Sequence, residues 1–508
     1  MEKFQVDHTS IKTSFFEHLN HSGNDRILFT APFGAGKSTF LNEFFQEHQS
    51  SFFTLKLFPV NYSVSLNEDV FELIKFDLLL QLMGTYQDEV DLRKEDFSTL
   101  LLSQVYISER LKVMPIVNAL VSLSGKVGKS ALELIKALSV TIDDFKAFQD
   151  EMKIDEEDEL KAFLSQIEKR KGSTYEMDDI SELIFDLLKR VKENKTVSEK
   201  PEVKSVLVID DLDRLDPEHT FRLFNVFTAH FDELNLGNKF GFDTVIFVCD
   251  IENIWKLYRH KYGAGVDFKG YMDKFYSYLP FDFDNRKYVK QKIGTFLNTL
   301  STNNTTSGQV FSLLIKTENS HDFYYVVRFV LLSLLSAKAL NLRTLVSESR
   351  YDFPDYNFDA FKGRRLNSDF PILLLFNLLK QFYTSVEIVR EKLILLDTLF
   401  TDDSLQKSSE HENLNDQHIF RNIKSALIPF LLPREQGLKR LRDKKDITVG
   451  YSAALGTWLH YEIDHFNDKI TFTSATINED KGSAESQISV YIMLLVCFNE
   501  CLKINAIR

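Results

Sequence analysis

Apolar residues are arranged in two ways along this chain. In its first half, short runs rich in β-branched and aromatic residues are separated by longer amphipathic stretches. The runs are ILFT within DRILFTAPFGAGKSTFLNEFF (25–45), SFFTLKLF (51–58, ended by Pro59), SVLVID (205–210), TVIFVC (244–249) and YSYLPF (276–281). Runs of this length bounded by turn residues predict buried strands. The dense apolar segment Val70 to Leu82, between a Ser65/Glu68 capping box and Gly84, predicts a buried helix. IDEEDELKAFLSQIEKRKG and EMDDISELIFDLLKRVKEN begin acidic and end basic, as the helix dipole favours. HTFRLFNVFTAHFDEL predicts a further helix before the fourth strand, and KENKTVSEKPEVK (192–204) a solvated linker. Beyond about residue 285 strand signals nearly vanish. Long apolar helices dominate, broken by polar loops at 301–309 and 402–417, with KITFTSATI (469–477) as a short strand candidate.

Composition narrows the class. The 508 residues allow roughly two to four domains. A hydrophobic share of 44% supplies a sizeable core, and the 45 phenylalanines read as its filler. The two most apolar segments, FPILLLFNLL (370–379) and ISVYIMLLVCF (488–498), are short of the ~18–20 residues that span a bilayer, so they predict buried helices. The N-terminus lacks the layout of a signal peptide. Three cysteines with no readable disulfide framework point to a reducing cytoplasm. A net charge of -13 argues against a nucleic-acid coat; KGRR (362–365) and GLKRLRDKK (437–445) are the notable basic clusters and read as solvated helix faces.

Two motifs carry chemistry. Ala31 to Ser38, APFGAGKS, has the P-loop spelling with alanine for the first glycine. Gly34 and Gly36 permit backbone conformations closed to other residues. The amides of Phe33, Gly34, Ala35, Gly36, Lys37, Ser38 and Thr39 are then placed to cradle phosphates at a helix N-terminus. Lys37 would reach the β- and γ-phosphates, the Ser38 hydroxyl would ligate Mg²⁺, and Thr39 would touch the α-phosphate. A second G-K-S, within VSLSGKVGKSALEL (121–134), follows a helix-like run and reads as a turn.

The other motif is VLVIDDLDRLD (206–216). A strand buried on both faces ends in carboxylates at the sheet edge where α/β folds bind ligands. Asp210 would hold Mg²⁺ through water, and Asp211 would orient or deprotonate the attacking water. Asp213 and Arg214 read as an intramolecular ion pair, with contact to a neighbouring subunit's nucleotide as the other reading.

The ordered series APFGAGKST, VLVIDDLDRL, TVIFVCD and GYMDKFYSYLP resembles the KAP family of P-loop NTPases, in the additional-strand group that includes AAA+ and STAND proteins. The resemblance spans roughly residues 20–350 and implies an α/β fold, a parallel sheet ordered 5-1-4-3-2 with a helical insertion; the apolar pattern beyond residue 285 adds a C-terminal all-α region. With that pattern, the chain divides into a first core part (1–64), an insertion (65–200), a second core part (201–285), a helical lid (286–400) and a mostly helical region (401–508) that shows no catalytic constellation and fits partner binding. The resemblance makes Asp250 a γ-phosphate sensor acting through water or Lys274, against a plain helix N-cap for IENIWKLY. It makes Arg343, in ALNLRTL (339–345), a lid arginine, against a solvated helix arginine. The implied activity is Mg-dependent ATP hydrolysis by a switch or assembly ATPase. The implied setting is a homo-oligomer working with a separate protein effector, as in anti-phage defence. A slow or non-hydrolysing nucleotide-binding scaffold, a small-molecule phosphotransferase and a DNA-associated motor are the other readings.

Overall fold

The computed structural model describes residues 8–62, 70–90, 179–196, 202–228, 237–263, 265–316, 322–346, 350–355, 370–400, 416–432, 447–464, 469–479 and 488–507. They form two compact units, one within His8–Asp284 and one within Asn285–Arg508. The second G-K-S, the capping box, the 154–172 helix and both basic clusters lie outside the described residues.

In the first unit, β1 (Arg26–Thr30), β2 (Phe52–Leu57), β3 (Lys204–Ile209), β4 (Thr244–Cys249) and β5 (Phe281–Asp282) pair in parallel. Their order is β2-β3-β4-β1-β5, the 5-1-4-3-2 order that the resemblance implies. Successive side chains of a strand point to opposite faces, and here both faces are covered. Ile27, Phe29, Val206, Val208, Ile246 and Val248 pack under α1 (Thr9–Leu19) and α2 (Lys37–Glu47). Leu28, Leu207, Ile209, Val245 and Phe247 pack under α3 (Val70–Thr85), α4 (Asp179–Lys195), α5 (Pro217–Thr228) and α6 (Ile251–Tyr262). That double burial is why the strands read as continuous apolar runs.

Phenylalanine fills the first of these cores. Phe15, Phe29, Phe40 and Phe44 are buried, and Phe15 meets Phe44 edge-on with ring centroids 4.8 Å apart at 70°. The fifth strand differs from the expected 276–281: it begins only after Pro280, which has no N–H for the ladder. Before it, Ser277 donates its N–H to the Arg26 carbonyl (2.8 Å) and its hydroxyl accepts from the Arg26 N–H (3.1 Å). Phe281 then stacks on Phe29, centroids 5.4 Å apart.

The second unit has its own apolar core. Its principal helices are Asp322–Ser336, Ile372–Tyr383, Val386–Leu399, Asp416–Leu431 and Val490–Lys503. The two most apolar segments are buried helices, as expected. Among the described residues no single helix is long and apolar enough to cross a membrane. The polar stretch 301–309 becomes helical from Thr306, capped by the Thr305 side chain.

The expected all-α character of the C-terminal region is modified by a small antiparallel sheet: β6 (Ile447–Ser452), β7 (Thr457–Asp464) and β8 (Lys469–Thr476). Leu459, Tyr461 and Ile463 alternate into the core. Gly450 disguised β6 in the sequence, because glycine is a poor strand residue. Its reason is tertiary: a Cβ there would stand 2.7 Å from Leu432 Cδ2.

Phe15→Ala is expected to destabilise the protein by ~3–5 kcal/mol, the usual cost of emptying an aromatic site in a packed core. Chemical denaturation of the variant beside the wild type reads it.

Candidate functional site

All five strands of the first sheet run the same way, so their C-terminal ends share one edge. The loop after β1 turns there on Gly34 (φ 77) and Gly36 (φ 91). Both lie in the left-handed region that favours glycine. Gly36 is the N-cap of α2 and supplies its first carbonyl, which accepts from the Phe40 N–H at 2.9 Å. The Ala35 N–H donates to the Pro32 carbonyl at 3.2 Å and closes the turn. Lys37 folds back under this loop: its ammonium donates to the Ala31 carbonyl at 2.8 Å and is 8% exposed. At the loop's base, the Ala31 N–H donates to the Cys249 carbonyl (3.3 Å) and the Ile251 N–H to Thr30 Oγ1 (3.1 Å).

Asp210 arrives at the same edge from the end of β3. Its N–H continues the ladder to the Leu57 carbonyl (2.9 Å), and its carboxylate accepts the Asp211 N–H (2.8 Å). It is 3% exposed. Burial pushes its carboxyl above the usual carboxylate range; the Ser38 hydroxyl, the Asp211 amide and Lys37 pull the other way. The residues expected to share a metal and a phosphate are thus brought together. A buried carboxylate faced by a hydroxyl is a donor set for a hard cation. Among the described residues no three His, Cys, Asp or Glu side chains gather into a metal site. A cation here would take the rest of its shell from phosphate oxygens and water.

Asp211 goes elsewhere. Its backbone is left-handed (φ 56), and its carboxylate accepts from Arg214 Nη1 at 2.9 Å on the more open side. The expected Asp213–Arg214 pair is therefore replaced by Asp211–Arg214. The cause is the 3₁₀ turn Leu212–Arg214, which sets residues three apart side by side. Asp213 is carried inward and is 7% exposed, and Asn253 Nδ2 donates to its carbonyl at 3.0 Å.

Asp250 is committed to backbone donors. Oδ1 accepts from the N–H groups of Glu252 (3.0 Å) and Asn253 (3.4 Å), capping α6. Oδ2 accepts the Phe33 N–H of the phosphate loop at 3.3 Å. The capping alternative is therefore realised, and the same carboxylate braces the loop. Phe33 itself is 45% exposed.

Two supports had no legible signal. Lys56 on β2 donates its ammonium to Asn42 Oδ1 on α2. Burial lowers the Lys56 ammonium below its usual range, against the attraction of Asp210. Asn253 becomes relevant only once α6 is laid beside the 3₁₀ turn. Arg343 belongs to the second unit, on the helix Leu342–Val346. There it lines a cavity of about 390 Å³ with Asn341, Thr344, Arg350, Gln381 and Phe382.

A family model described as the KAP family P-loop domain matches residues 14–345, more than half the chain. No curated protein matches the sequence.

Asp250→Ala is expected to cost about 1–3 kcal/mol, the sum of a lost helix cap and a lost loop hydrogen bond. Asp250→Asn has a single acceptor oxygen: it can keep the cap, but its N–H₂ then faces the Phe33 N–H, so it is expected to lose part of that stability. Melting of Asp250→Asn at the wild-type temperature, read by thermal denaturation, would count against the brace.

Proposed function

Because this chain belongs to the KAP family of P-loop NTPases, we propose that it binds ATP with Mg²⁺ and hydrolyses it, acting as a molecular switch or assembly ATPase. The observation that carries the reading is the meeting of Lys37, Ser38 and buried Asp210 at one sheet edge.

Mg²⁺ supplies charge neutralisation of the phosphates when bound, and Ser38 and Asp210 are the residues to hold it. The glycine-shaped loop offers phosphate the backbone N–H groups that Asp250 and Pro32 do not hold, at the start of α2 where negative charge accumulates. Lys37 exchanges its bond to the Ala31 carbonyl for the β- and γ-phosphate oxygens. Preorganised donors of this kind stabilise charge without reorganising at the moment of reaction. Asp211 orients the attacking water, and to do so its carboxylate leaves Arg214. The pair is half-exposed on the arginine side, and surface pairs of this type are worth ~1 kcal/mol or less, so release is affordable. Arg343 acts as the lid arginine in the same proposal. Homo-oligomerisation and recruitment of a protein effector through residues 401–508 belong to it too, with anti-phage defence as its setting.

One observation favours a second reading, a slow scaffold. At rest the Asp211 backbone is left-handed and its carboxylate is engaged by Arg214, apart from the Ser38–Asp210 meeting.

Phosphate release separates the readings. Lys37→Ala is expected to abolish binding, seen as loss of the Mg·ATP thermal shift. Asp211→Asn should bind ATP as well as the wild type while hydrolysing it at least ~10²-fold more slowly, the scale of a lost general base. Normal hydrolysis by Asp211→Asn would remove that residue from the mechanism. Negligible turnover by the wild type despite tight binding would favour the scaffold.

A further inference from the structure

The cavity of about 390 Å³ in the second unit falls within the ~300–1,000 Å³ range of small-molecule sites. Its wall runs against the chain's net charge of -13: Arg343 and Arg350 both line it, and among the described residues no carboxylate does. The neighbouring polar groups narrow the chemistry further. Asn341 Oδ1 accepts from both the N–H and the hydroxyl of Thr344 (3.0 Å each), so its amide has N–H₂ left to give. Gln381 donates to the carbonyls of Asp352 (2.9 Å) and Asn377 (3.2 Å) and accepts the Asp352 N–H on Oε1 (2.7 Å), so it serves as a strut. A guanidinium carries donors and no acceptor. The wall therefore offers positive charge and N–H donors. Its apolar part is Phe382, with Tyr351 edge-on to it at 5.6 Å between ring centroids. The Arg350 side is anchored: Nε donates to the Thr302 carbonyl (3.2 Å), and the Tyr351 N–H donates to the Ser301 carbonyl (2.9 Å).

We propose that this cavity binds a small organic anion, a phosphate monoester or a carboxylate carried on an apolar, planar body. The guanidinium groups take the anionic oxygens, for which their planar forks of donors are matched. The Asn341 amide adds a neutral donor, and Phe382 and Tyr351 supply the face on which the apolar body lies. A bare inorganic ion would leave most of the volume unfilled. The site does not rest on the nucleotide reading, since it uses neither the glycine loop nor Asp210. Arg343 alone is common to both: the reading above gives it to the lid, and an anion held in the cavity competes for it.

The test is calorimetric titration of the full chain with phenyl phosphate, benzoate and, as the uncharged control, benzyl alcohol. At least one of the two anions is expected to bind, and to bind equally in Lys37→Ala, which removes the phosphate loop as a competing anion site. The tighter of the two identifies the anionic group. Arg350→Gln removes one charge, and Asn341→Asp keeps an oxygen for Thr344 while adding a negative charge to the wall. Each is expected to weaken the anion by about tenfold or more, the scale of a lost charge-assisted hydrogen bond. Binding of neither anion, equal binding of benzyl alcohol, or affinity that neither substitution lowers overturns the proposal. Anion binding that disappears in Lys37→Ala overturns it too, by placing the anion in the phosphate loop. A second measurement needs no variant. Arg343 and Arg350 are both exposed, so phenylglyoxal should modify them in the wild type, and saturating phenyl phosphate or benzoate should slow that modification at both, read by peptide mass. Unchanged modification of the two arginines overturns the site even where the substituted proteins fail to fold.

Discussion

Asp210 is a carboxylate with almost no access to water, and it is tolerable only because Ser38, the Asp211 amide and Lys37 stand around it. Everything else in the first unit serves that meeting. A parallel sheet puts every strand's C-terminal end at one edge, and β4 between β1 and β3 spaces the loop from the acidic strand. The cores on the two faces hold the strands in that order. Phenylalanines on α1 and α2 cover one face, and the helices of the 70–262 region cover the other.

Four aspartates share this edge, and their surroundings give them different fates. Asp210 is buried and faces a hydroxyl. Asp211 is turned out to Arg214. Asp213 is turned inward and buried. Asp250 spends both oxygens on backbone donors and ties the phosphate loop to the start of α6. Cys249 lies among them, and burial, with the charges of Asp213, Asp250 and Asp210, raises its thiol well above the usual range despite Lys37. That thiol is therefore neutral filler under the site. Crowding like charges on one rim makes the rim a natural seat for a lysine and a divalent cation.

The second unit follows a different rule. Its helices are apolar over wide faces and bury one another, and a three-stranded sheet joins the same core through Leu459, Tyr461 and Ile463. Where the sheet meets Leu432 the packing is close: a Cβ at Gly450 would push the ends of that leucine side chain aside. Burial of this kind tolerates many apolar sequences as long as volume is kept.

The amino-acid sequence by itself determined the strands with double-sided burial, the glycine loop and the acidic strand end. In each case the cause is local: an apolar run must be covered, and a left-handed turn asks for glycine. The short order DDLDR carried no such instruction. Asp211 and Asp213 are the same residue type two positions apart, and only a 3₁₀ turn, set by packing against β4 and α6, sends one out and the other in. Likewise nothing local marked Asp250 as a brace, since Phe33 approaches it from far along the chain. Nor did β6 announce itself, because its glycine answers a leucine on another element. Periodicity and turn chemistry are read within a few residues. Charge pairing and close contact are decided by whichever distant segment the fold lays alongside.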